Sequence, residues 1–275
     1  MSRKLALLKS APASARFGLV VVVGYGVVAL LAPVIAPYGE TQVVGVEFAQ
    51  WSAQHWLGTD DLGRDVLSRL LYGARNTIGI AVLTTVIASV VGGCAGLIAG
   101  TLRGWIDQLL GRSVDVLMAV PSLILTLLLL AICGTSIASM VTIIALVEST
   151  RIFRLARALA LGIGQLDYVT MARLRGEGLS WIIFREVLPN ASAPLIAEFG
   201  LRFCFVFLFI ATLSFLGLGI QPPTADWGSM VRDNATLISY GQMTPLLPAG
   251  AIALLTVAVN FIVDWLVHRS SGLRD

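Results

Sequence analysis

Residues 77–99 read TIGIAVLTTVIASVVGGCAGLIA, a run from Thr77 to Ala99 without one charged side chain. At 1.5 Å of rise per residue, about 20 such residues cross the ~30 Å hydrocarbon core of a bilayer. The run does not alternate between apolar and polar positions, so it is not a barrel strand. An open sheet would leave its backbone edges unsatisfied in lipid. The run reads as a membrane-spanning helix.

Five further runs take the same reading. Phe17–Ala36 precedes it. Its apolar stretch is too long for an ordinary signal peptide and no clear small-x-small cleavage site follows, which predicts an uncleaved anchor. Val116–Cys133 follows, with a kink expected at Pro121. Then come Ile137–Phe153, interrupted by Glu148 and Arg151, and Leu195–Leu216 and Pro248–Val267. The expectation is an all-α polytopic membrane protein of six transmembrane helices. Residues 1–16 form a cytoplasmic N-terminus and residues 17–275 the transmembrane domain, with a cytoplasmic loop at about 154–192. Of the 275 residues 57% are hydrophobic and 13% charged, and the mean hydropathy is +0.86. A single soluble core of this length could not hide so much apolar surface.

Lys and Arg in the connections set the orientation. Fourteen lie at the two ends and in the second and fourth connections, against four, Arg64, Arg69, Arg75 and Arg232, on the other side. Arg202 falls within the fifth helix. Both termini are therefore expected in the cytoplasm and the loops near 37–76 and 217–247 outside.

Several chemistries are not expected. Cys94, Cys133 and Cys204 lie in apolar runs with no CxxC spacing, and His55 and His268 are far apart, so no metal site is anticipated. The usual phosphate-binding loop needs Lys after Gly, and Lys4 and Lys9 are the only lysines, neither so placed. No nucleophile–base constellation stands out, so an enzyme reading is weak. A nucleic-acid partner is not expected either.

The fourth connection carries the strongest local pattern. It runs Asp167-Tyr168-Val169-Thr170-Met171-Ala172-Arg173-Leu174-Arg175-Gly176 and on through Ile183 to Leu188-Pro189. Asp167 is expected to cap a short helix through Met171 and Ala172. Gly176 is expected to stop it, and a second short helix to run to Val187 and end at Pro189. Tyr168, Val169 and Met171 are apolar outside the bilayer and need a cover, either the protein's own helix ends or a groove on a soluble partner.

Ala172-x-x-x-Gly176, with Ile183 and Leu188-Pro189 after it, resembles the EAA loop of bacterial importer permeases. His55-Trp-Leu-Gly-Thr-Asp-Asp-Leu-Gly-Arg-Asp-Val-Leu-Ser-Arg69 and Tyr72-Gly-Ala-Arg75 resemble the outer-loop signature of the second, C-type subunit of dipeptide and oligopeptide ABC permeases. So do Ser214 to Pro223 and Trp227-Gly228, and Asn260 and Asp264 fit the C-terminal pattern. The chain departs from the pattern at Met171, at Ser149-Thr150, at Ile210, and at Glu198 and Arg202. The resemblance implies the type I ABC importer permease fold and movement of a small solute, such as a di- or oligopeptide, into the cytoplasm by alternating access. Nickel chelates, opines and glutathione pass through similar permeases. It implies a second homologous permease, two ATP-binding subunits that hold ATP and Mg, and an extracytoplasmic solute-binding protein. No cofactor is expected on this chain. The loop from Asp167 to Pro189 would be the ATPase-coupling element. An ion-coupled secondary transporter is the rival reading; it would call for an inverted repeat and midplane carboxylates.

Three further features carry expectations. Glu198 and Arg202 are spaced i, i+4 and can pair, either as a snorkelling pair or as a charged lining of the translocation path. Gly92, Gly96, Gly100 and Gly104 form a smooth stripe for a close helix neighbour. Thr59 or Asp60 is expected to cap a surface helix starting near Leu62, while Gln221 and Trp227 are candidates for an outer-loop contact or an interfacial anchor.

Overall fold

In the computed structural model of the protein, residues 12–270 are described. The expectations resting on Arg3, Lys4, Lys9 and Arg274 lie outside them. Among the described residues every regular element is helical, and the extended pairings are two isolated bridges, Val43 with Arg64 and Thr59 with Asp65. The helices are α1 (Ala13–Ile35), α2 (Val66–Leu102), α3 (Gly104–Ala119), α4 (Ser122–Cys133), α5 (Ile137–Ile163) and α6 (Asp167–Leu174). A 37-residue helix, α7 (Leu179–Phe215), follows, then the short α8 (Trp227–Asp233) and finally α9 (Leu246–Ser270).

Four of these, α1, α2, α7 and most of α9, are long and apolar enough to cross a membrane. A fifth span arises if α3 and α4 count as one, but they meet at 90°. Pro121 lacks the N–H that would continue the helix and turns the expected kink into a break. At 12 residues α4 is about 18 Å long, too short to cross alone. The expected fourth span exists as a helix of 27 residues, but Glu148, Arg151, Arg154 and Arg157 lie along it and leave it outside the apolar set. The six expected spans are thus four or five by length and composition.

Contacts divide the chain into two compact units, each assembled from separated segments. One contains residues up to Val82, Thr135–Met140 and Phe203–Trp265. Here Gly18 lies against the backbone of Ala258, the Tyr25 hydroxyl donates to the Ala251 carbonyl at 3.2 Å, and the rings of Phe17 and Phe261 meet edge to face. The other contains Leu83–Gly134 and Val141–Arg202. In it the glycine stripe lies on α5. A Cβ at Gly96 would stand 2.5 Å from the Phe153 carbonyl oxygen, and one at Gly100 2.6 Å from that of Arg157. Gly92 meets the Ser149 carbonyl in the same way, so three of the four glycines pack within the chain. Gly104 does not join them: its φ is 67° and, with Arg103 at 59°, it turns the chain from α2 into α3.

Candidate functional site

The loop helix α6 is built as a two-faced element. Asp167 is its first residue and makes no side-chain cap; its carboxylate still favours the positive end of the helix dipole. At the other end the Gly176 N–H donates to the Arg173 carbonyl and the Glu177 N–H to that of Ala172. This is the Schellman arrangement, which puts the residue after the cap in the left-handed region. Gly176 has φ 81° there, as its position in the sequence led one to expect.

Burial separates the two faces. Val169 and Ala172 are fully buried, and Val169 packs in a cluster with Leu97, Ala156, Ala160, Ile182 and Val187. The protein's own helix ends therefore cover half of the loop helix. Leu166, Tyr168, Met171 and Leu174 remain exposed, Leu174 by 77%. The two arginines are engaged within the chain: Arg173 donates to the Thr101 carbonyl at 3.2 Å, and Arg175 lies 5.8 Å above the Trp181 ring.

The second loop helix does not end at Pro189. It continues from Leu179 into the fifth expected span, and the turn Ile182–Val187 is π-helical. The Leu188 N–H donates to Ile183, five residues back, and Pro189 follows with no N–H to place. The wider turn relieves the clash that a proline ring makes with the carbonyl four residues before it. Leu188 packs against the buried cluster, and Pro189 is exposed.

Within α7, Arg202 meets Glu198 at 2.7 Å, the expected i, i+4 pair. It also reaches Glu148 on α5 at 3.2 Å. Arg202 is 8% exposed and Glu148 4% exposed, so the guanidinium does not snorkel; it is held between two carboxylates. The sequence placed Glu148 only as an interruption of a span, because a contact 54 residues away leaves no local signal. Near the end of α5, Arg157 grips Asp107 with two nitrogens and Arg154 pairs with Asp115 at 2.6 Å, which fastens α3 to α5.

The expected surface helix near Leu62 is the start of α2 instead. Its cap is Asp65, whose carboxylate accepts from the Ser68 N–H at 2.8 Å. Asp60 accepts from the backbone N–H groups of Leu62 and Arg64 and pairs with the side chains of Arg64 and Arg69. All three charged groups are buried, so this signature folds a tight turn rather than a contact surface. Trp227 is not an interfacial anchor: it is 2% exposed, its indole donates to the Leu70 carbonyl, and Tyr25 and Phe207 cover it edge to face. Asp226, before it, is fully buried and accepts from Thr77 and Ser229. Burial pushes its carboxyl above the ordinary range, and those hydrogen bonds only partly offset the effect. Gln221 is exposed, with its amide donating to the carbonyls of Gly217 and Gly219.

Residues 92–271 match the family described as binding-protein-dependent transport system inner membrane component. The chain is 35% identical over 260 residues to a dipeptide transport system permease protein of Alkalihalophilus pseudofirmus, covering 94% of this chain and 83% of that one. It is 38% identical over 254 residues to a di/tripeptide transport system permease protein of Pseudomonas aeruginosa, with 90% and 82% covered. A glutathione transport system permease protein of Pectobacterium atrosepticum is 35% identical over 224 residues, with 82% and 72% covered. Among solved structures, a crystal structure of an amino acid ABC transporter with histidines aligns with a TM-score of 0.54 at 18% identity, over 74% of this chain and 94% of that one. At that identity it speaks for the fold.

Proposed function

Because the chain belongs to the family of binding-protein-dependent inner membrane transport components, the non-catalytic permease subunits of ABC importers, we propose that it carries di- or oligopeptides inward, coupled to ATP through the exposed face of α6. The peptide substrate rests on the names of the two relatives at 35% and 38% identity. The multi-pass membrane location follows from the family and the apolar helices.

In this reading the chain pairs with a second, homologous permease. ATP and Mg belong to two ATPase subunits, and a solute-binding protein delivers cargo from outside. The fold is that of type I importers, with α5 as a further span whose Glu148, Arg154 and Arg157 pair with other residues of the chain. The arginine distribution puts both termini and the loop of residues 154–192 in the cytoplasm, with residues 17–275 as the transmembrane domain and Gln221 in the outer loops.

The observation that carries the coupling role is the one-sided cover of α6. Val169 and Ala172 are buried while Tyr168, Met171 and Leu174 stay exposed on a helix that the charge pattern puts outside lipid. Exposed apolar residues on so short a helix gain by meeting a groove on another protein. To invert a 99:1 equilibrium between two access states takes ~5.5 kcal/mol of differential binding. Subunits that close on ATP against this face can supply it. The test is to replace Met171 and Leu174 together by Ser. The complex should keep the sister permease and lose the ATPase subunits or the solute-stimulated hydrolysis. Normal subunit content with normal coupled transport would remove α6 from this role.

A further inference from the structure

A cavity of about 220 Å³ lies between α3 and α5. Asp107, Gly111 and Asp115, each one turn after the last, form part of its wall on α3, and Arg154 and Arg157 part of its wall on α5. Arg112 lines it too. The charged groups around the cavity do not cancel: three guanidinium groups face two carboxylates. Arg157 is spent on Asp107 and Arg154 on Asp115, and Asp115 also acts on Arg157 at longer range. Neither acid is left for Arg112, which is exposed and makes no ion pair among the described residues.

Arg112 also lies on the exposed stripe of α3. Trp105, Leu109, Arg112 and Val116 follow one another at spacings of four, three and four, which puts them on one side of the helix. Trp105, Leu109 and Val116 are each more than half exposed. The arginine is thus common to a polar cavity and an apolar strip. Trp105 comes directly after the Gly104 turn at the end of α2, and an indole suits the boundary between headgroups and hydrocarbon. The arginine count puts this connection on the cytoplasmic side. The cavity is smaller than the ~300–1,000 Å³ of ordinary small-molecule sites, so it has room for a headgroup and not for a whole solute. An unpaired cation between such a cavity and an apolar strip complements one kind of molecule, a phosphodiester carrying an acyl chain. Basic pockets between membrane helices on the cytoplasmic side suit anionic headgroups in this way.

We propose that Arg112 and the cavity between α3 and α5 bind the headgroup of an anionic phospholipid, with an acyl chain laid along Leu109 and Val116. Asp107 and Asp115 occupy Arg157 and Arg154 and shape the cavity, which leaves Arg112 to meet the phosphate. The site goes beyond the transport reading: it requires a membrane around the chain and no particular solute.

The test uses the full chain purified with the subunits that copurify with it and reconstituted in phosphatidylcholine vesicles. The probe is phosphatidylglycerol with a diazirine on one acyl chain, and phosphatidylcholine with the same diazirine is the control. Irradiation followed by peptide mass mapping should place the phosphatidylglycerol label on peptides bearing Leu109 and Val116, with about fivefold less label there from phosphatidylcholine. Arg112→Gln removes an exposed side chain that makes no ion pair, so the complex should assemble and melt as the wild type does. Its phosphatidylglycerol label on α3 should fall about fivefold, the scale of one basic residue at an anionic surface. Arg112→Lys keeps the charge and should keep most of the label. Equal label from the two lipids, equal label in wild type and Arg112→Gln, or no label on α3 because a neighbouring subunit covers it would overturn the proposal. Displacement of the label by inorganic phosphate would do so too, by marking a site for small anions and not for lipid.

Discussion

The guanidinium of Arg202 bridges Glu198 on its own helix and Glu148 on α5, at 2.7 and 3.2 Å. One cation between two buried acids makes each single removal unequal. Arg202→Met removes the cation that the two carboxylates share, and breaking a buried pair in this way costs about 3–5 kcal/mol. The detergent-solubilised variant should melt well below the wild type. Adding Glu148→Gln should restore part of the loss, and a double variant no more stable than Arg202→Met alone would show that the two residues are not coupled.

Gly176 is open to solvent, with nothing within 4 Å of where a Cβ would stand, so its constraint is backbone strain alone. Gly176→Ala should cost about 1–2 kcal/mol locally and leave coupling weakened but present. Gly176→Asp adds a charge beside the exposed apolar face. It should insert normally, keep the sister permease and lose solute-stimulated ATP hydrolysis. Hydrolysis rates on purified complexes measure both, and equal rates for the two variants would limit the effect to strain.

The glycines of α2 differ in what surrounds them. Gly96→Ala drives a methyl into the Phe153 carbonyl and the Ala156 side chain, an overpacking worth about 1–3 kcal/mol. Gly93→Ala has nothing within 4 Å and should be neutral or slightly stabilising. Melting temperatures in detergent compare them, and equal values would contradict the close packing of α2 on α5.

Single cysteines at Ser180 and Ser52 sit on exposed residues of the two segments that the arginine count assigns to opposite sides. In a cysteine-free background an impermeant maleimide should reach Ser52→Cys from outside intact cells and Ser180→Cys only after permeabilisation. Labelling of both in intact cells would overturn the orientation.

Asp226 gives a pH signature. Its folded pKa is raised, so the folded state holds the proton more tightly than the unfolded state does. Stability from this group is therefore greatest at low pH and declines as pH rises from the ordinary carboxylate value through the raised one. The wild-type melting temperature minus that of Asp226→Asn should fall as pH rises across that window. A difference that rises with pH would mean that the hydrogen bonds from Thr77 and Ser229 outweigh burial.

Where the signal was local, the sequence was informative. The charge-free runs at Phe17–Ala36 and Thr77–Ala99 became α1 and most of α2, because helix formation in lipid is dictated by composition over one span. Gly176 was legible because only a turn with positive φ explains a glycine there. What depended on distant partners was not. Trp227 looked like an anchor until Leu70, Tyr25 and Phe207 closed over it, and Glu148 looked like a flaw in a span until Arg202 reached it. Pro189 misled for another reason: a proline ends an α-helix, but the π turn before it makes room without ending the helix.

That π turn fixes an angular phase. Each residue in a helix turns the chain by about 100°. The turn over Ile182–Val187 takes up about one residue more than an α turn. If it straightened into plain α-helix with no residue removed, everything beyond would be rotated by roughly that angle relative to the loop, and Glu198 and Arg202 would point away from Glu148 unless the loop itself turned. A one-residue deletion there should therefore be absorbed by a return to an α turn, whereas a one-residue insertion has no slack left to take it up.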